Sequence, residues 1–245
     1  MLLDATTLAA VAALSLGAAV VGGIGGFGTG AILTAALAPL IGVKAVIPVM
    51  AVAGVIINAG RFWFYRRSLE RRTLALVLAS SLPFLVLGTW IYSVLDARVL
   101  GTVLGLAVMA SIPLRRVLRR RAVGVSSRGL AIGSAVFGLA TGVTTGTGVI
   151  LVSLLLGAGV AGPALLATDS LVSIALDLSK AALFHRMSLL DEQSFLTGAI
   201  IGAGSIPGSA LAAWLVTRMH AHLHMLFMEA LVLGGGASLL WNSWR

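Results

Sequence analysis

Cysteine is absent from this chain of 245 residues. Its absence excludes disulfide bonds, thiolate metal sites and cysteine nucleophiles. Charged residues are also scarce, at 10% of the chain, and only 8 residues are acidic. Soluble domains usually carry about 25% charged residues, because their exterior must be polar. The low charge therefore excludes a soluble globular protein.

Apolar residues make up most of the sequence. They account for 59% of the chain, and its mean hydropathy is +1.06. A helix needs about 20 apolar residues to cross a bilayer, and such stretches follow one another from end to end. The sequence therefore predicts an all-α, polytopic transmembrane bundle of about 8–10 membrane segments.

The basic residues mark the topology. The formal net charge is +9, and arginines cluster at residues 66–72 and 115–121, where apolar segments end. Two crossings separate these clusters, so they lie on one face, and the positive-inside rule makes that face cytoplasmic. We expect a multi-pass protein of the inner (plasma) membrane with the lipid bilayer as a partner. The clusters lack interleaved aromatic residues, so no nucleic-acid partner is expected.

Two glycine runs interrupt the apolar segments. Residues 22–30 read GGIGGFGTG, and residues 142–148 read GVTTGTG. Glycine runs favour a break in a helix, where backbone amides and carbonyls become available to a ligand. Residues 31–41, after the first run, cover only about half of a bilayer, which suits a broken or re-entrant helix. Close helix packing is the alternative role for these glycines.

The second half of the chain repeats the first. Asn58 and Arg61 align with Asp177 and Lys180, and the sequence SLP at residues 81–83 aligns with SIP at 205–207. We predict two homologous repeats, residues 1–121, ending in a basic cytoplasmic loop, and residues 122–245. Such repeats with broken helices are typical of secondary transporters. Parallel repeats stay possible, but inverted repeats are favoured because they permit alternating access.

Ionisable residues inside apolar segments are candidates for function, because burying a charge in a membrane is costly. The carboxylates Asp169, Asp177 and Glu229 are candidates for proton coupling or for ion pairing. Asp177 either pairs with Lys180 or contacts substrate, and Glu229 either faces a cavity or pairs with a basic residue.

The matching positions of Arg61 and Lys180 suit an oxyanion site. The alternative for Arg61 is that its side chain extends to the cytoplasmic interface. Helix starts at the glycine runs would contribute backbone amides. The candidate substrate-binding residues are Gly28, Thr29 and Gly30 in the first run, Thr145, Gly146, Thr147 and Gly148 in the second, and Asn58, Arg61, Ser173 and Lys180 in the helices.

Together these patterns resemble a known family. Two G-x-G-type apolar segments are each followed by a turn and a helix with small and hydroxyl residues, such as ATDSL at 167–171, and then by a basic or polar helix end. This pattern resembles the TauE/SafE sulfite exporter family over nearly the whole chain. The resemblance implies a membrane permease for sulfur-containing or small organic anions.

We therefore expect a secondary transporter of a small anion, most simply sulfite or another sulfur-containing or organic anion. Proton coupling is an additional expectation. No enzyme activity, cofactor or metal is expected, and a homo-oligomer stays open. The alternatives are an anion channel and a membrane scaffold that transports nothing.

Overall fold

The protein is all-helical wherever its structure is described. A computed structural model describes residues 13, 15–20, 29–120, 124–216, 233, 234, 236, 237, 240, 241 and 244. Within these residues there is no strand, and residues 15–20 are helical. The longer helices are α1 Thr29–Ile41, α2 Val43–Tyr65, α3 Arg71–Val94, α4 Ala97–Arg120, α5 Ser127–Val143, α6 Gly148–Gly157, α7 Gly162–Arg186 and α8 Glu192–Val216. The predicted fold class is confirmed at the level of an all-α protein.

Two of the described helices are long and apolar enough to cross a membrane. One is Val43–Ser68, which is α2 with the 3-10 turn after it, and its mean hydropathy is 1.9. The other is α3, with a mean hydropathy of 2.0. Both exceed the length of about 20 residues that spans the hydrocarbon core. The described part of the chain therefore contains apolar membrane-length helices, as the composition predicts.

The second glycine run does break a helix. Helix α5 ends at Val143, and α6 begins at Gly148. Between them Gly146 has φ 78°, a left-handed conformation that a residue with a side chain adopts at a cost. The backbone amide of Val125 donates to the carbonyl of Gly157 at 2.6 Å, which joins the two outer ends of this unit. Helices α5 and α6 therefore form a hairpin that enters and leaves the bundle at the same end.

The first glycine run is described only at its end. Helix α1 begins at Thr29 and is 13 residues long, so a short helix follows this run as it follows the second. Residues 21–28 lie outside the described residues. Gly42, whose φ is 89°, forms the turn between α1 and α2.

Helices α2 and α7 pack against each other and run antiparallel. Arg61 on α2 contacts Asp169 on α7, while Gly54, seven residues earlier, lies against Asp177, eight residues later. When residues nearer the N-terminus of one helix contact residues nearer the C-terminus of the other, the two helices run antiparallel. These two helices, with the hairpin beside them, enclose the site described below.

One local prediction is wrong. Residues 115–121 were expected to form a basic loop, but α4 continues as a helix to Arg120. Arginine is a good helix former, and no glycine or proline follows Pro113 within this helix to stop it. Clustered positive charge marks the end of an apolar stretch, and it does not require the helix to end there.

Candidate functional site

A cavity of about 170 Å³ lies between α2, the α5–α6 hairpin and α7. Most of the residues that the sequence nominates meet around it, although they come from positions as much as 150 residues apart. Those that line it are Gly30, Asn58, Arg61, Thr145, Gly146, Thr147, Gly148, Asp169, Ser173, Asp177 and Lys180. Their roles in binding stay predictions, but the structure brings them into one place.

Three nominated residues are not placed in the cavity. Gly28 and Glu229 lie outside the described residues. Thr29 is the first residue of α1, next to the cavity residue Gly30, and its side chain is not described. Nothing further follows for these three positions.

Helical spacing explains why the polar residues meet. Asp169, Ser173, Asp177 and Lys180 follow one another at intervals of four, four and three residues, so they lie on one face of α7. Asn58 and Arg61 share a face of α2 in the same way. Because α2 and α7 run antiparallel, these two polar faces meet along the cavity.

Arg61 is paired across the site with Asp169. Its Nη1 donates to Oδ2 of Asp169 at 3.1 Å. The side chains are 33% and 8% exposed respectively, so Asp169 is buried while Arg61 stays partly accessible, and both residues line the cavity. Of the two alternatives for Arg61, the structure therefore favours the cavity over the interface.

Lys180 is buried and caps a broken helix. Its Nζ donates to the carbonyl of Thr141 at 2.9 Å. That carbonyl lies in the last turn of α5, where the helical partner four residues on is missing because the helix ends at Val143. A cation at a helix C-terminus is also favoured by the helix dipole. An ammonium group has three hydrogens, and within the described part of the chain this is the hydrogen bond that Lys180 makes.

Asp177 and Lys180 do not form an ion pair in the described part of the chain, so that alternative is not observed. Their charged groups do not approach within 4.0 Å in this part of the chain, where the observed ion pair is Arg61–Asp169. A spacing of three on one helix permits such a pair, but Lys180 instead reaches the end of α5. The two side chains still lie on one face and line the same cavity.

Gly54 is a site residue that the sequence reasoning missed. The Asp177 carboxylate lies directly against its backbone, and a methyl group added to Gly54 would lie 2.8 Å from Cγ of Asp177. The available signal was its position one helical turn before Asn58, whose side-chain amide donates to the Gly54 carbonyl at 2.9 Å. Glycine here gives the acidic side chain the space that it occupies.

Threonine hydroxyls organise the break between α5 and α6. Thr141 donates to the carbonyl of Phe137 at 2.7 Å and lies 2.8 Å from the hydroxyl of Thr147. A hydroxyl has one hydrogen, so Thr147 is the donor in the second bond. Thr147 therefore presents only acceptor capacity to the cavity.

A second pair of hydroxyl groups joins α1, in the first half of the chain, to this break. Thr34 on α1 lies 2.7 Å from the hydroxyl of Thr145. Thr34, Thr141 and Thr144 were not among the nominated residues, although Thr141 and Thr144 line the cavity. Their proximity to the second glycine run was the signal that could have found them.

The glycines at the two helix starts are not used for close packing. A methyl group on Gly148 would meet nothing within 4 Å, and one on Gly30 would be 4.0 Å from the nearest atom, the amide of Gly146. By contrast, methyl groups on Gly198 and Gly202 would approach Val52 and Ile56 to 2.7 Å. The starts of α1 and α6 therefore leave open space beside their amides, which is the arrangement that suits an anion.

Comparison with protein families decides which kind of protein this is. The model of the family described as Sulfite exporter TauE/SafE matches residues 11–239, nearly the whole chain. The chain belongs to the TauE/SafE family. This is a family of membrane transporters of sulfite or related anions, which agrees with the expectation of transport in place of catalysis. Neither the curated proteins nor the solved structures searched give a match.

The charges of this TauE/SafE cavity balance. Among the described residues it holds two cations, Arg61 and Lys180, and two carboxylates, Asp169 and Asp177. With all four groups ionised the formal charge is zero. The sequence emphasised the two cations, whereas the structure places a carboxylate near each of them.

Proposed function

We propose that this TauE/SafE protein is a secondary transporter that moves a small anion across the inner membrane. Sulfite and other sulfur-containing or small organic anions are the substrates we propose. The observation that carries the proposal is the cavity at the break between α5 and α6, where cationic side chains and the exposed start of α6 face one space. Broken helices that present a helix start to an anionic group are a recurrent feature of transporter sites.

The size of the cavity supports a small substrate. Its volume of about 170 Å³ compares with roughly 30 Å³ for each molecule of liquid water. Pockets for drug-sized ligands measure about 300–1,000 Å³. An anion of a few heavy atoms fits this space, and a large organic anion does not.

Inverted repeats and alternating access form the finer part of the proposal. Helices α2 and α7 occupy equivalent positions in the aligned halves and run antiparallel, as inversion requires. A hairpin that returns to its own side leaves an odd number of crossings in its repeat, which also favours inversion. Alternating access would then arise from movement of one repeat against the other around the cavity.

Proton coupling is the remaining part of the proposal. The cavity holds two carboxylates as well as two cations, so an entering anion meets a neutral site. Uptake of a proton by a carboxylate would restore the attraction for the anion. Ionisable groups inside membrane helices commonly serve such proton transfer.

The test is flux of labelled sulfite, thiosulfate and ethanesulfonate in proteoliposomes. We expect saturable exchange of at least one anion by the native protein. The variants Arg61→Ala and Lys180→Ala should each lower flux about tenfold or more, because a hydrogen bond to a charged group contributes about 1.5–3 kcal/mol. Lys44→Ala is the matched control, since Lys44 is an exposed cation on the same helix as Arg61.

The outcomes separate the alternatives. Flux that does not saturate and is not stimulated by exchange would favour an anion channel. Full flux in the double variant Arg61→Ala/Lys180→Ala would contradict the proposed site. Absence of flux for all three anions would leave a scaffold without transport as the better explanation.

A further inference from the structure

The two carboxylates of the cavity have different surroundings, and we propose that they have different roles. In this proposal Asp177 alone carries the proton that accompanies the anion, while Asp169 stays ionised as the partner of Arg61. The inference rests on the transport function proposed above and assigns its coupling to one side chain.

Asp169 is committed to an ion pair. Its Oδ2 accepts from Arg61 at 3.1 Å, and its side chain is 8% exposed. Protonating it would leave the Arg61 guanidinium without its counter-ion beside a buried carboxyl group, which is unfavourable. Asp169 therefore keeps its charge, and it holds α7 to α2.

Asp177 has no such commitment. Within the described residues no donor makes a hydrogen bond to its carboxylate, and no cation lies within 4.0 Å of it. Its carboxylate lies against the backbone of Gly54, while the half-buried side chain also lines the cavity. Protonation of this group therefore breaks no bond in the described structure.

Few other charged groups among the described residues surround Asp177. Arg61 faces the cavity from α2, and Asp169 and Lys180 face it from α7. From α5, α6 and residues 144–147 the cavity receives hydroxyl, backbone and apolar groups. Once Arg61 and Asp169 are counted as a pair, Lys180 and Asp177 are the two charges that the described residues leave to respond to a substrate.

Charge balance then sets the stoichiometry. An anion that enters beside ionised Asp177 brings a second negative charge into a small, poorly solvated space, where like charges repel strongly. A proton on Asp177 leaves the Lys180 charge for the anion, and the loaded cavity is neutral for a monovalent anion. One proton should therefore accompany each monovalent anion.

The first repeat supports a single proton carrier. Asn58 occupies the position equivalent to Asp177, and an amide has the shape of a carboxyl group but does not ionise. Its side chain donates to the carbonyl one turn earlier at 2.9 Å. The substitution Asp177→Asn therefore gives the second repeat the residue that the first already accommodates, so it is a conservative test.

The experiment measures anion exchange and gradient-driven accumulation in proteoliposomes between pH 5 and 9, with sulfite, thiosulfate and ethanesulfonate as probes. In the native protein the apparent KM should rise tenfold for each pH unit above the titration of the carrier, because the competent fraction falls by that factor. An inward proton gradient should drive accumulation. Comparison with a variant removes any titration of the probe itself.

Exchange by the variant Asp177→Asn, whatever its rate, should lose the pH dependence of KM, and the variant should no longer accumulate anion under a proton gradient. Asp169→Asn is the control: its flux should fall, but the remaining flux should still respond to the gradient. Gradient-driven accumulation by Asp177→Asn, or uncoupling by Asp169→Asn, would overturn the assignment.

Two further measurements keep the test decisive if Asp177→Asn does not fold. The variant Asn58→Asp adds a second carboxyl group at the equivalent position, and its KM should rise about a hundredfold per pH unit. A pH-sensitive dye should report proton uptake when a probe anion is added to the native protein in detergent. The inference would be overturned if the KM of Asn58→Asp rises only tenfold per pH unit and the native protein takes up no proton. Native exchange without any pH dependence would overturn it as well and leave the transport function standing, whereas no exchange at all would overturn both.

Discussion

Gly54 offers the sharpest test of how the cavity is built. Its substitution by alanine adds one methyl group at the point where α2 meets the Asp177 carboxylate. The aspartate cannot stay where it is, because the added carbon would lie 2.8 Å from its Cγ and closer still to one oxygen. Overpacking of a well-packed position costs about 1–3 kcal/mol.

A matched control exists on the same helix. Gly60 also lies within α2, and a methyl group there would meet nothing within 4 Å. Replacing glycine by alanine within a helix adds up to about 1 kcal/mol of stability through helix propensity. Both variants receive this gain, so the difference between them isolates the contact with Asp177.

Two properties are measured. One is unfolding by denaturant in detergent, and the other is the rate of anion exchange. We expect Gly60→Ala to be as stable as the native protein or more so, with unchanged exchange. Gly54→Ala should be about 1–3 kcal/mol less stable than Gly60→Ala, and its exchange should fall because the displaced carboxylate enters the cavity. Equal stability and equal exchange in the two variants would refute the described contact.

Three further predictions concern the ion pair, the helix cap and the break. Arg61→Met should lower the stability by less than the about 3–5 kcal/mol expected for a fully buried pair, since the Arg61 side chain is 33% exposed. Adding Asp169→Leu should recover part of the loss, and a double variant less stable than the single one would argue against the pair. Lys180→Met should destabilise the protein by about 1.5–3 kcal/mol through loss of the charged hydrogen bond to the end of α5, and unchanged unfolding in denaturant would contradict this. Gly146→Ala should lower the stability by about 1–2 kcal/mol, because the φ of Gly146 is 78°. Gly148→Ala, with open space around it, should leave the stability unchanged. Thermal unfolding of the two variants checks this contrast.

The sequence predicted the break and most of the cavity lining because both depend on local patterns. Glycine runs indicate where a helix ends, and spacings of three and four place Asp169 and Lys180 on one face. These features need no knowledge of the partner helix.

Contacts between distant helices could not be predicted in this way. The Arg61–Asp169 pair joins residues that are not equivalent in the two repeats, so the repeat alignment gave no hint of it. The role of Gly54 depends on the group that packs against it. The sequence of an apolar helix does not show whether its glycine contacts a methyl group, a backbone segment or a carboxylate. The helical continuation to Arg120 was missed because a cluster of charge was interpreted as a loop.

The ion pair between Arg61 and Asp169 makes the two ends of the cavity chemically unequal. The position equivalent to Asp169 in the first repeat is Met50, which also lines the cavity but offers no charge. If the repeats are inverted as proposed above, the counterpart of this ion pair is Lys180 with Met50, and Met50 cannot form an ion pair. Salt weakens an ion pair and leaves the contacts of an apolar side chain almost unchanged. Raising the salt concentration on one face of the membrane at a time should therefore change the two unidirectional rates of transport unequally.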